Sequence, residues 1–268
     1  MSAPRPHPKR WLSAARAILR DAAGGIVALA FPDDCRVCAQ PLEEPSRVPI
    51  CGACLEGFRT IAHPICGRCG RPMLASAHTG AAGPLCRLCR AGVYAFDCAR
   101  SFAVYDDSLL RAITLLKHQP MKPLAAWFAG RLAGLARSDP ALAADVVVPI
   151  PLHPGRLLER GFNQAELLAR ALARQTGLPI LPRALERRKP RPPKRRLSRH
   201  ERWEIVRGAY APVTGTQFDN RRVLLVDDVF TTGATLDACS RALRSAGATR
   251  VAAVTVARVV DAWSGPLP

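Results

Sequence analysis

The chain changes its hydrophobic rhythm near residue 93, and beyond that point strand-like and helix-like segments alternate. Ala99–Tyr105 reads as a strand. Leu109–Lys117 and Leu124–Ala136 read as helices, parted by a break at Pro120 and Pro123. The β-branched run Asp145–Val148 stops at Pro149 and suits a buried parallel strand. Asn163–Gln175 is helical, with Asn163 placed as an N-cap and Gly177 just past the end. Leu181–Tyr210 interrupts the rhythm with Pro and Arg. Val223–Val226 is a second buried strand, Ala234–Ser245 a helix stopping at Gly247, and Val251–Ala257 a last strand. This alternation predicts an α/β fold, a parallel sheet flanked by helices.

Before residue 93 the chain is rich in turn residues and poor in periodic segments, so three segments are expected. They are an N-terminal helical segment over 1–30, a small cysteine-bearing domain over 31–92 and the α/β domain over 93–268. Within the first, Trp11–Leu29 is expected to be a short helix packed on the body. No stretch reaches the ~20 apolar residues that span a bilayer; the nearest, Gly24–Phe31, is far too short. Lys9, Arg10 and the later Ala28-Leu29-Ala30 imitate a secretion signal. Arg16, Arg20, Asp21, Gly24 and Gly25 break its apolar part, so a cytoplasmic protein without a membrane span is expected.

Charge adds a second theme. The 268 residues carry a net charge of +18, with a pI near 10.5. That surplus attracts polyanions such as nucleic acid or polyphosphorylated small molecules. An Arg- and Ala-rich composition is also what a GC-rich genome produces, so the charge alone selects no partner.

Ten cysteines could signal disulfides, but eight of them form Cys35-x-x-Cys38, Cys51-x-x-Cys54, Cys66-x-x-Cys69 and Cys86-x-x-Cys89. Paired thiolates at this spacing, with no secretion signal, read as metal ligands. Zinc takes four sulfurs at tetrahedral positions about 2.3 Å away, and each Cys-x-x-Cys turn supplies two. Two zinc ions are expected. They are structural, because all four positions of each are filled by protein. Sequential pairing of the turns is preferred over an interleaved cross-brace. Arg68, Arg71, Arg87 and Arg90 flank the turns and either touch phosphates or form a solvated face. Cys98 and Cys239 read as buried small side chains. His63, His78 and His118 lack ligand spacing.

The sharpest feature is the run Val223-Leu224-Leu225-Val226-Asp227-Asp228-Val229-Phe230-Thr231-Thr232-Gly233-Ala234-Thr235. A strand ends in two carboxylates, a hydroxyl-rich turn follows, and a helix begins. Backbone N–H groups at the helix start, hydroxyls of Thr231, Thr232 and Thr235, and close approach at Gly233 suit a phosphate. Asp227 and Asp228 suit two sugar hydroxyls. An acidic strand end with a simple helix cap explains only part of the run. The whole pattern resembles the phosphoribosyl-pyrophosphate (PRPP) fingerprint of type I phosphoribosyltransferases. On that resemblance Asp227, Asp228, Val229, Thr231, Thr232, Gly233, Ala234 and Thr235 are candidate PRPP ligands. Lys117, Pro151, Leu152, Arg156 and Arg160 are candidate pyrophosphate ligands. Asp227, Asp228 and Arg160 are the catalytic candidates, with Mg²⁺ entering with PRPP.

The four cysteine turns, Leu116-Lys117, Val148–Leu152, Arg160–Gln164, Leu197–Arg202, Gly208-Ala209-Tyr210 and the phosphate loop together resemble the ComF/GntX family. That family joins a double zinc ribbon to a type I phosphoribosyltransferase-like domain. The resemblance runs over roughly Phe31–Val260 and implies a role in natural competence: handling imported single-stranded DNA, in company with DNA-uptake proteins such as a helicase. Two departures fall in the segment corresponding to the fold's hood loop. Lys194 stands where the family usually has Gln, and Ile205 where it usually has Asn.

Arg183–Arg207 is strongly basic, and Pro190, Pro192 and Pro193 keep its middle extended. It reads as a lid over pyrophosphate, as a single-strand groove with Trp203 or Tyr210 as a stacking platform, or as a solvated loop. Two functions stay open. One is an enzyme that transfers phosphoribosyl to an unidentified acceptor. The other is a non-catalytic DNA-binding adaptor or PRPP-sensing regulator.

Overall fold

The computed structural model describes residues 34–42, 46–73, 79–80, 83–190 and 198–260. The expected helix within 1–30, His78, and the prolines and Lys194 inside 191–197 lie outside the described residues. Two compact units divide at Gly57 and Phe58. The first holds one cysteine tetrad and the short helix α1 (Gly52–Glu56).

The second unit starts with the other tetrad, which includes a two-residue ribbon β1 (Thr79–Gly80) with β2 (Gly83–Pro84) and helix α2 (Arg87–Arg90). Then follow β3 (Cys98–Val104), α3 (Asp107–His118), α4 (Lys122–Ser138), β4 (Val146–Pro149), α5 (Pro154–Arg160) and α6 (Gln164–Thr176). The chain closes with β5 (Leu185–Arg187), α7 (Arg199–Val206), β6 (Tyr210–Pro212), β7 (Arg222–Phe230), α8 (Ala234–Ser245) and β8 (Arg250–Arg258).

Four strands form one parallel sheet in the order β3-β8-β7-β4. Its strands are buried on both faces, which is why Val146–Val148 and Val223–Val226 read as unbroken apolar runs. Val146, Val148, Val223, Leu225, Val251 and Ala253 share a core with Leu236, Cys239 and Leu243 of α8, and with Cys66, Cys69 and Leu88 of the second tetrad. Helices α4 and α6 pack against each other and against the sheet. Among the described residues, no helix is long and apolar enough to cross a membrane.

Local chemistry explains most boundaries. Asp106 caps α3 by accepting from Leu109 N. Pro123 sits in the first turn of α4, where its missing N–H costs nothing. Asn163 accepts from Ala165 N while donating to Ile150 O, tying the start of α6 to the turn after β4. Strand β7 runs four residues further than its apolar core, through Asp227 and Asp228 to Phe230, because β8 continues to pair with it. The basic stretch is more structured than its composition suggests. β5 and β6 pair antiparallel, and α7 starts with a reciprocal capping box between Ser198 and Glu201.

Candidate functional site

Parallel sheets gather loops at the C-terminal ends of their strands, and open α/β sheets bind ligands there. Here a cavity of about 620 Å³ occupies that position. Asp227, Asp228, Val229, Thr231, Thr232, Ala234 and Thr235 line it, together with Lys117, Pro151, Leu152, Arg156 and Arg160. The candidate PRPP and pyrophosphate residues thus meet in one space except Gly233, which is buried beneath it, whereas Arg68, Arg87, Arg90 and Trp203 do not line the cavity.

Gly233 is buried for a steric reason. Its φ is +84°, and a Cβ there would lie 2.6 Å from Tyr94 Cε1 and 2.7 Å from Phe230 Cε2. It is the N-cap of α8 and offers no capping side chain itself, while Thr232 Oγ1 accepts from Ala234 N at 3.4 Å. The orphan N–H groups of the first turn, with the Thr232 and Thr235 side chains beside them, make an anion-receiving end.

The two carboxylates are treated differently. Lys117 Nζ lies 2.8 Å from Asp228 Oδ2. Burial works against the Asp228 charge, but the Lys117 ammonium, together with hydrogen bonds from Asp227 and the Val229 backbone, holds the carboxyl below its usual range. Asp227 Oδ1 accepts from Asp228 N at 2.8 Å. Burial, and then the neighbouring Asp228 charge, push Asp227 well above the usual carboxylate range. The two neighbouring carboxyls are thus shifted in opposite directions, Asp228 down and Asp227 up.

Cations dominate the remaining lining. Arg71, Lys117, Arg156, Arg160, Arg187, Arg202 and Arg258 face this cavity, against Asp227 and Asp228. Arg160 is bonded to Gln164. Arg187 donates to the Tyr210 hydroxyl at 3.1 Å, with its guanidinium 5.3 Å from that ring. Tyr210 is buried, while Trp203 stacks on Tyr94 with ring centroids 6.0 Å apart. Of the two departures, Ile205 lines the cavity from α7.

Tyr94, Tyr105, His153 and Arg258 also line the site, and sequence reasoning did not select them. His153 carried a weak signal as the residue before Pro154, where it now caps α5. The other three are brought in by tertiary packing.

The eight ribbon cysteines group sequentially, as Cys35, Cys38, Cys51, Cys54 and as Cys66, Cys69, Cys86, Cys89, each with its sulfurs within 4.8 Å of one another. Tetrahedral zinc with bonds of about 2.3 Å requires sulfurs roughly 3.8 Å apart. Cys38 Sγ and Cys51 Sγ are 3.8 Å apart, and Cys69 Sγ and Cys86 Sγ 3.7 Å. Backbone N–H groups of Cys51 and Cys86 point at Cys35 Sγ and Cys66 Sγ, each at 3.3 Å. The donor set is consistent with two structural zinc ions. Cys69 and Cys86 of the second tetrad also border the cavity.

Comparison with known proteins gives two family matches. A family described as "Double zinc ribbon domain" matches residues 26–91, and one described as "Phosphoribosyl transferase domain" matches residues 158–265. Competence protein F of Haemophilus influenzae is 29% identical over 214 residues, 78% of this chain and 90% of that protein. Competence protein ComFC of Bacillus subtilis is 27% identical over 216 residues, 78% of this chain and 84% of that protein. An adenine phosphoribosyltransferase of Corynebacterium diphtheriae is 33% identical over 149 residues, 54% of this chain and 72% of that enzyme.

Proposed function

We propose, from the premise that this chain belongs to the ComF/GntX family of double-zinc-ribbon, phosphoribosyltransferase-like proteins, that its cavity binds PRPP with Mg²⁺ in the service of DNA uptake. The observation that carries this reading is the Asp227-Asp228 pair facing the same cavity as the glycine-capped start of α8. Vicinal sugar hydroxyls need acceptors, and a 5′-phosphate needs N–H and O–H donors. Both sets stand on one strand–loop–helix.

In this reading Thr231–Thr235 hold the 5′-phosphate, and Asp227 and Asp228 accept from the ribose hydroxyls. Lys117, Arg156 and Arg160 receive pyrophosphate beside Pro151 and Leu152. Asp227 and Asp228 are the carboxylates that would face a Mg²⁺ ion bound with PRPP, which would neutralise charge on the leaving group. If the chain turns over, the C1–O bond to pyrophosphate breaks with its electron pair leaving on oxygen. A C1–N bond to the acceptor forms, and the acceptor nitrogen loses a proton. The cationic wall is what such a transition state requires.

A second reading, single-stranded DNA binding in the cytoplasm alongside a helicase, draws on the excess of arginines over carboxylates around the cavity. Calorimetric titration separates the two. PRPP with Mg²⁺, and then single-stranded DNA, are titrated into the zinc-loaded chain and into an Asp227→Asn/Asp228→Asn variant. PRPP binding that the variant loses supports the first reading. DNA binding equal in both proteins, with no PRPP binding, overturns it in favour of the second.

A further inference from the structure

The second cysteine tetrad is bonded into the transferase sheet. Arg258, the last residue of β8, is buried, and its Nη1 donates to Cys69 O at 2.6 Å while Nη2 lies 3.4 Å from Cys69 Sγ. Its guanidinium sits 3.9 Å from the Phe230 ring, the residue just before the phosphate loop. Arg100 of β3 adds a bond from Nη2 to Gly67 O at 3.0 Å, and Gly70, at φ +68°, leaves a Cβ no room beside Ala99 O.

Tyr94, shortly beyond the tetrad's last cysteine, completes the circuit. Its hydroxyl donates to Thr232 O at 3.0 Å. Its ring stacks on Phe96 and meets Phe230 edge-on, closing over the space that Gly233 leaves empty. A loop whose amides must point at an anion has to be held from behind; Tyr94 holds it from the ribbon side, and Arg258 ties β8 to the ribbon beneath Phe230.

We propose that Tyr94 and Arg258 are positioning residues through which the second cysteine tetrad fixes the Thr231–Thr235 loop in its anion-receiving shape. Both line the cavity, but neither is among the residues that the reading above gives to PRPP. The ligand part of this inference rests on the PRPP reading above, whereas the hold on the loop does not.

The test uses full-length, zinc-loaded Tyr94→Phe and Arg258→Lys. The first keeps the stacked ring and loses one hydrogen bond. The second keeps the charge and loses the forked grip on Cys69. Zinc content, hydrogen exchange of residues 230–236 and PRPP affinity are measured on each. We expect two zinc ions per chain and loop exchange about three- to tenfold faster with the central sheet unchanged, the loss of one hydrogen bond. PRPP binding weakens by a similar factor. Exchange that rises evenly through β7 and β8 would mean a merely structural role and overturn the proposal, as would unchanged exchange with unchanged affinity. Faster loop exchange in a chain that binds no PRPP upholds the positioning and sinks only the ligand reading.

Discussion

Lys117 on α3 and Asp228 on β7 are joined across 2.8 Å, with the carboxylate almost fully buried and the lysine about a third exposed. The pair joins the end of a helix to the end of a strand, at the mouth of the cavity. Lys117→Met leaves a buried carboxylate without its counter-charge. We expect a loss of about 1–3 kcal/mol in thermal unfolding, less than for a fully dry pair because water reaches the lysine. The pH dependence has a definite sign. Asp228 is depressed, so its stabilisation is present above the unfolded-state value of about 3.9 and is lost as pH falls through the native value. In the variant, where burial acts on Asp228 without that counter-charge, this acid limb is lost, which a melting series from pH 3 to 7 records.

Asp227 has the opposite sign. Its native carboxyl keeps a proton to higher pH than the unfolded chain does, so folding stability declines from about pH 3.9 up to its raised value. Asp227→Asn removes that decline. Melting temperature at pH 7 is expected to rise while PRPP binding falls at least tenfold, a site kept at the expense of stability. A variant that melts lower than the parent at pH 7 contradicts the assignment.

Gly233→Ala meets both a left-handed backbone and two rings within 2.7 Å. Because Tyr94 and Phe230 are themselves buried, neither can yield. Destabilisation of about 1–3 kcal/mol is expected, with PRPP binding lost before global unfolding. Chemical denaturation and calorimetry on one preparation check both parts.

Cys98 and Cys239 belong to neither tetrad. Burial pushes the Cys98 thiol up to about 11 and Cys239 well above its ordinary range. At pH 8 a thiol reagent should therefore label neither in the native, zinc-loaded chain. Denaturant with chelator should expose all ten cysteines. Mass spectrometry of labelled peptides reads the result.

What could be read from sequence was local chemistry. Helix α8 ends where the pattern placed it, since Gly233 and Gly247 mark its limits. Asn163 was legible as a cap because its partner lies two residues away. The strand–loop–helix over Val223–Ser245 was legible because its apolar run, turn residues and glycine are contiguous. Helix α5 was not: Pro154-Gly155 reads as a turn, and Leu157 and Leu158 face outward and give no buried stripe. The β5–β6 pair was hidden for another reason, since Leu185 finds Pro212 across a basic stretch with no alternation. Tyr94 and Arg258 reach their partners 138 and 189 residues away, and no spacing rule spans such distances.

Strand β8 lies between β3 and β7, yet it is the last strand of the sheet along the chain. A ribosome working from the N-terminus therefore delivers the centre of the sheet after its flanks. Until Arg250–Arg258 emerges, β3 has no neighbour in the sheet and β7 has one open edge, the condition that invites wrong pairing. Cys69 waits equally long for Arg258. The cysteine tetrads can close early in synthesis, but the Thr231–Thr235 loop lacks the Arg258 contact behind it until β8 has emerged.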